Sequence, residues 1–288
     1  MTADIRDAAS GTRDSGLGTR DSAPGLPRRS RPARRLVDAQ AWSWGPRAGL
    51  ALMPAAVIVT ACVALLGPAA PARAQGPQPV TFAARDGVRV SGVLYVPAQQ
   101  PAPGVVLLPM LGRTHRDWEA AAATFAESGL AALAIDFRHA AGGAVEAPDP
   151  GFSALVLDAD AARAYLAARP EVDPARIGMA GGSLGANVAA LSAGNDPSVR
   201  SLALLSVSGD YRGLKMEQAL RSFGARPALL VASSEDWYAL RSARQAVSMG
   251  GGTRELRVLA GMGHGLVMLA RDPDLGLVLV DWFKRTLL

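Results

Sequence analysis

The sequence predicts an α/β fold over residues 75–288: a doubly wound, mostly parallel sheet of eight strands without a large lid. Three observations carry this expectation. Short apolar runs alternate with longer stretches of helical pattern, with no long linker and no internal repeat between them. The later runs, VVLLP, ALAID, LALLS and ALLVAS, are nearly all apolar, as parallel strands buried on both faces must be. The first two runs are instead joined through Asp86-Gly87, a hairpin signal. The sheet should therefore open antiparallel and continue parallel.

The elements follow in chain order. Strands over 79–84 and 88–95 flank the Asp86-Gly87 turn. A buried strand over 104–109 leads to a helix over 116–128. The strand 131–136 precedes a helix over 153–168, where Asp158, Ala161, Ala162, Tyr165 and Leu166 show a mixed helical spacing. The strand 176–181 runs into a glycine-rich turn, and the small-residue stretch ANVAALSA makes a helix over 184–193. Strands over 201–206, 227–232 and 255–259 then alternate with helices over 213–222, 237–248 and 266–286. Repeated strand–helix units of this kind cross over right-handedly and build a parallel sheet.

Composition narrows the function classes. The chain has 288 residues, 49% hydrophobic and 19% charged, too apolar to be disordered throughout. One cysteine, Cys62, excludes an internal disulfide framework and a cysteine-based zinc site. Three histidines, at 115, 139 and 264, argue against a His-rich metal site, and no cofactor is expected. The formal charge of +5 sits entirely in residues 1–74, which hold ten arginines and five aspartates; residues 75–288 hold 20 basic and 20 acidic residues. A domain without net charge has no global field for phosphates, so nucleic acid is not an expected partner.

Residues 1–46 are rich in Arg, Asp, Gly, Ser and Pro, with GTRDS at 11–15 and again at 18–22. No apolar seam accompanies this near-repeat, so a disordered basic leader is expected. Residues 47–74 read as a signal peptide: Arg47, an uncharged apolar stretch, then Ala72-Arg73-Ala74 as a small-x-small cleavage site. Two alternatives stand beside it. The stretch has enough residues to span a bilayer uncleaved, and Val59-Thr60-Ala61-Cys62 resembles a lipobox that would make Cys62 an anchor. An exported protein is expected, periplasmic or secreted, touching a membrane only through 47–74.

The most informative segment is Arg176-Ile-Gly-Met-Ala-Gly-Gly-Ser-Leu-Gly-Ala-Asn187. Gly181, Ser183 and Gly185 form Gly-x-Ser-x-Gly, with an apolar strand running in and a small-residue helix running out. A Ser on such a strand-to-helix turn is held in a strained backbone, and side chains at the flanking positions would clash. The turn presents the hydroxyl at the C-terminal edge of the sheet, beside the free N–H groups of the helix.

A seryl hydroxyl needs a base, and the base an orienter. His264, in Gly261-Met-Gly-His-Gly265, follows the last strand, and Asp236, in Ser233-Ser-Glu-Asp-Trp237, follows the strand 227–232. Each of the three thus sits beyond a strand C-terminus, where open α/β sheets build their sites. Asp236 also stands where a helix N-cap would, and Glu235 and Asp210 remain alternative acids. The developing oxyanion needs two N–H donors. Leu184 supplies one, and the loop after the strand 104–109 the other, at Leu111 or its neighbour Met110. Met110, Trp237 and Leu266 are expected to line the substrate pocket, though Trp237 and Leu266 also suit packing of their own helices. His115 and Trp118 share the 107–118 loop, where Trp118 suits packing and His115 solvent. His139 reads as a loop residue.

These pieces, GGSLGAN, SSEDW, GMGHG, LLPMLG and DFR, together resemble an α/β-hydrolase, within it the dienelactone-hydrolase-like branch, across essentially all of 79–288. The resemblance implies a nucleophile at Ser183, an acid at Asp236 and a base at His264. Dienelactone hydrolases proper use Cys where this chain has Ser183, so lactone chemistry is not implied. Many hydrolases carry His-Gly where this chain has Pro109-Met110. The expected activity is hydrolysis of a small-molecule carboxylic ester through an acyl-enzyme, with thioester and peptide substrates as alternatives on the same fold. The short 207–212 connection leaves little room for a lid, so an open, shallow site is expected, with no arginine obviously placed to clamp a carboxylate. A non-catalytic envelope binding protein on this scaffold would have lost a member of the Ser–Asp–His set, and none is lost.

Overall fold

A computed structural model describes residues 75–138 and 151–288. The basic leader, the 47–74 segment with Cys62, and His139 lie outside the described residues. Eight strands form one sheet: β1 (Gln75–Ala83), β2 (Arg89–Val96), β3 (Ala102–Leu108), β4 (Ala131–Ile135), β5 (Val172–Gly182), β6 (Val199–Leu205), β9 (Ala228–Ser233) and β10 (Arg254–Leu259). Their spatial order is β1-β2-β4-β3-β5-β6-β9-β10. β1 and β2 pair antiparallel across the Asp86-Gly87 turn, β2 pairs antiparallel with β4, and every other pairing is parallel.

Alternation sorts the buried strand residues onto two faces. In β3, Val106 and Leu108 join one hydrophobic core while Val105 and Leu107 join the other. The first face is covered by α2 (Gly151–Ala167), α3 (Leu184–Asn195), α4 (Met216–Phe223) and α5 (Trp237–Val247). The second face is covered by α1 (Glu119–Glu127), α6 (Val267–Arg271) and α7 (Leu275–Leu287). Trp118 and Trp282 are fully buried on that second face. Each satisfies its indole N–H on a strand carbonyl, Trp118 on Leu108 at 3.0 Å and Trp282 on Leu202 at 2.9 Å.

Three elements differ from the sequence expectation. The helix expected over 266–286 is two helices, because Pro273 has no N–H to donate and keeps Asp272 out of helical geometry (φ −119°, ψ 98°). The helix expected over 213–222 starts at Met216, after a small hairpin of β7 (Asp210–Tyr211) and β8 (Leu214–Lys215). Arg212 and Gly213 both have positive φ, 50° and 91°, as a two-residue hairpin turn requires. The helix expected over 116–128 begins instead with a 3-10 turn at His115–Trp118.

At the N-terminal edge of the sheet two arginines bind backbone. Arg226 donates to the carbonyls of Ala193, Asp196, Val199 and Phe223, at 2.6–2.9 Å. Arg254 donates to the carbonyls of Arg226, Gly224 (2.6 Å) and Met249 (3.2 Å). Together they satisfy helix-end and loop carbonyls that regular structure leaves open.

Candidate active site

The site grows from the ends of β5, β9 and β10. Ser183 lies between β5 and α3 with φ 51° and ψ −116°, a region that non-glycine residues seldom occupy. Its amide donates to the Leu205 carbonyl at 2.8 Å, so the end of β6 holds the turn. The flanking glycines are demanded by contact. A Cβ on Gly181 would overlap the Gly185 carbonyl, and one on Gly185 would overlap the Pro109 carbonyl. The turn is thus folded tightly on itself and against the end of β3.

The three residues that the sequence singled out meet in one hydrogen-bonded chain. His264 Nε2 is 2.7 Å from Ser183 Oγ, and His264 Nδ1 is 2.5 Å from Asp236 Oδ2. The other carboxylate oxygen of Asp236, Oδ1, accepts from the Ala239 amide at 3.2 Å. One oxygen of Asp236 thus caps α5 and the other faces the imidazole. The competing acids are engaged elsewhere. Glu235 lies 3.6 Å from Arg271 at the surface, and Asp210 accepts from the Gly213 amide within the small hairpin. Such a chain can take a proton from the Ser183 hydroxyl onto His264 and hold the resulting imidazolium against a carboxylate.

The remaining expected residues fall out as follows. Leu184 is the first residue of α3, so its amide has no intrahelical acceptor, and it directly follows Ser183. Leu111 is 41% exposed in the loop after β3. The Met110 sulfur accepts from the Leu266 amide at 3.1 Å and lies against Gly265, the residue after His264. Leu266 belongs to the hydrophobic core and also borders the cavity formed with Arg113, Asp117 and Val267. It is buried and its side chain occupies the space beside Gly182, because Gly182 offers it no side chain to meet. Trp237 projects outward, 67% exposed, edge-on to Tyr238 and with the Arg241 guanidinium over its ring at 5.2 Å. Both of these neighbours lie on its own helix.

His115 is half-buried, and its hydrogen bonds run to Asp136. Its backbone amide and its Nδ1 both contact Asp136, at 2.8 and 2.9 Å, and Ser91 donates to the same carboxylate at 3.2 Å. The pair ties the 109–118 loop to the end of β4. Sequence reasoning missed this tie, and also the seryl hydroxyls that hold the 261–265 loop. Ser234, Ser233 and Ser206 accept from the amides of Gly261, Met262 and Gly265. Among the described residues no cluster of His, Cys, Asp and Glu is arranged to hold a metal ion.

The doubly wound sheet with a seryl turn at its C-terminal edge is that of an α/β hydrolase. Residues 90–272 match the model of the dienelactone hydrolase family, and the chain belongs to that family. Membership places it among hydrolases. No protein of curated function matches it in sequence. Solved structures share the fold. A dienelactone hydrolase from Anabaena variabilis aligns with TM-score 0.62 and 19% identity over 74% of this chain and 100% of that one. An esterase domain of a Rhodothermus marinus protein aligns with TM-score 0.59 and 20% identity over 74% and 100%. A Pyrobaculum calidifontis esterase aligns with TM-score 0.57 and 19% identity over 73% and 85%.

Proposed function

We propose that the chain is a serine hydrolase that cleaves a carboxylic ester through an acyl-enzyme on Ser183. The observation that carries this reading is the unbroken Asp236–His264–Ser183 hydrogen-bonded chain, its hydroxyl mounted on a strained turn. His264 Nε2 takes the Ser183 proton as Oγ bonds to the ester carbonyl carbon. The carbonyl oxygen becomes an oxyanion facing the N–H groups of Leu184 and Leu111. As the carbon–oxygen bond to the alcohol breaks, His264 passes its proton to the leaving oxygen. Water then repeats the sequence on the acyl-enzyme, releasing the acid and returning the proton to Ser183. Asp236 orients the imidazole and offsets its charge throughout.

Exposed apolar groups at Leu111 and Trp237 suit a small ester approaching from solvent, with no lid among the described residues. Export through residues 47–74 belongs to the same proposal, and N-terminal sequencing of the mature protein from soluble and membrane fractions tests it. The function is tested by labelling the full chain with a fluorophosphonate beside Ser183→Ala. Labelling lost in the variant, with ester hydrolysis down by at least about 10³-fold, is the expected result. A different labelled serine, or a fully active variant, would overturn the assignment.

A further inference from the structure

The end of β6 touches both partners of the proposed proton transfer. The Leu205 carbonyl accepts from the Ser183 amide at 2.8 Å. The next residue, Ser206, accepts on its hydroxyl from the amide of Gly265 at 2.8 Å, and Gly265 follows His264. Ser206 is fully buried. Its own amide donates to Val231 at 2.8 Å, so β9 fixes its backbone. Its φ is 53°, a left-handed conformation that a seryl residue adopts only when its surroundings impose it. That twist lets the amide reach β9 while the hydroxyl turns to the 261–265 loop.

We infer that Ser206 is a positioning residue for His264. Its hydroxyl fixes the backbone that carries the imidazole, against the same strand end that fixes the Ser183 turn. Nucleophile and base are thereby referenced to two consecutive residues, and the 2.7 Å separation of His264 Nε2 and Ser183 Oγ is held by the sheet. Ser233, also fully buried, braces the loop from its other end through Met262 at 3.0 Å. Ser206 sits closer to the imidazole along the chain, and it alone shares a strand end with the Ser183 tether. Without the hydroxyl the Gly265 amide loses its partner and the loop is free to drift. A drift of about 1 Å at a reacting group costs roughly 10²-fold in rate.

This inference rests on Ser183 being the nucleophile, and the test keeps the two apart. Ser206→Ala, Ser206→Cys and Ser206→Gly are made in the full chain. Five quantities are measured: the fluorophosphonate labelling rate, kcat and KM for a short nitrophenyl ester, Tm, and the low-field proton resonance of the His264–Asp236 hydrogen bond. The expected result for Ser206→Ala is a fall of about 10- to 100-fold in labelling rate and kcat, KM within about twofold, and a broadened or shifted resonance. Ser206→Cys, nearly isosteric and a weaker acceptor, should fall between wild type and alanine. Ser206→Gly relaxes the left-handed backbone yet lacks the hydroxyl, so it should match alanine in rate whatever its Tm. A Ser206→Ala protein of lowered Tm that labels at the wild-type rate, with its resonance unchanged, would overturn the inference and leave the nucleophile standing. If Ser206→Ala does not fold, a cysteine variant with wild-type rates does the same. Absence of labelling in folded wild type would overturn the function reading, and this inference with it.

Discussion

Gly185→Ala probes the approach of α3 to β3. The added methyl would meet the Pro109 carbonyl and stand 2.7 Å from the Leu108 carbonyl oxygen. Ordinary contact needs about 3.4 Å, so that oxygen must retreat by about 0.7 Å. It is not free to do so, because it also accepts the Trp118 indole N–H. Overpacking of this kind costs about 1–3 kcal/mol, and a domain of this size loses about 2–4 °C of Tm per kcal/mol. The displaced backbone, Leu108–Pro109, leads directly into Met110 and Leu111, whose amide is proposed to face the oxyanion. The expected outcome is a Tm lower by about 4–8 °C at mid-range and a kcat lower by about 10- to 100-fold. Thermal melts and ester kinetics on purified protein measure both. Gly276→Ala is the matched control. It is the second residue of α7, where a Cβ meets nothing within 4 Å, so its Tm and kcat should not fall. A Gly185→Ala protein with wild-type Tm and kcat would refute the claim that the seryl turn and the oxyanion loop are mutually locked.

Asp236→Asn keeps an oxygen to cap the Ala239 amide but loses the acceptor for His264 Nδ1. It should leave Tm nearly unchanged while kcat falls by about 10⁴-fold, measured by steady-state kinetics with a parallel melt. Burial pushes the Asp160 carboxyl above its usual range, against the Ser192 hydroxyl that donates to it at 2.6 Å. Its charged form is therefore disfavoured in the fold, a penalty fully present above the folded pKa and lost as pH falls through it. Asp160→Asn should raise Tm at pH 7–8, with the gain shrinking toward pH 4; a gain independent of pH would contradict the cause. Arg226→Met removes donors from four carbonyls. It should cost about 3–4 kcal/mol in urea unfolding while leaving the kcat of the folded fraction at the wild-type value.

The strands of the sheet were legible because buried parallel strands must be apolar on both faces, and β3, β4, β6 and β9 are written that way. Their ends were harder to place, since β5 starts at Val172 through a polar Asp-Pro-Ala-Arg stretch that shows no alternation. The β7–β8 hairpin was missed because strands of two residues carry no period. Pro273 was visible in the sequence, yet the apolar spacing on either side of it continued, and that spacing outweighed the break. Ser183, Asp236 and His264 could be read because each is an unusual residue type just beyond an apolar run. Ser206 could not. A serine after a strand looks like any turn residue, and its partner is a backbone amide 59 residues away that no side-chain pattern announces.

The guanidinium groups of Arg226 and Arg254 bind carbonyls at one end of β6, β9 and β10, and Ser183, Asp236 and His264 gather at the other end. The six residues of β9 separate them by about 20 Å. Substitutions that reshape the rim around Trp237 or Leu111 therefore act far from the fastening that resists unfolding. Such a division lets a lineage exchange one substrate for another through its loops while the folding threshold is guarded elsewhere, so new specificities are accessible by single steps that leave the scaffold viable.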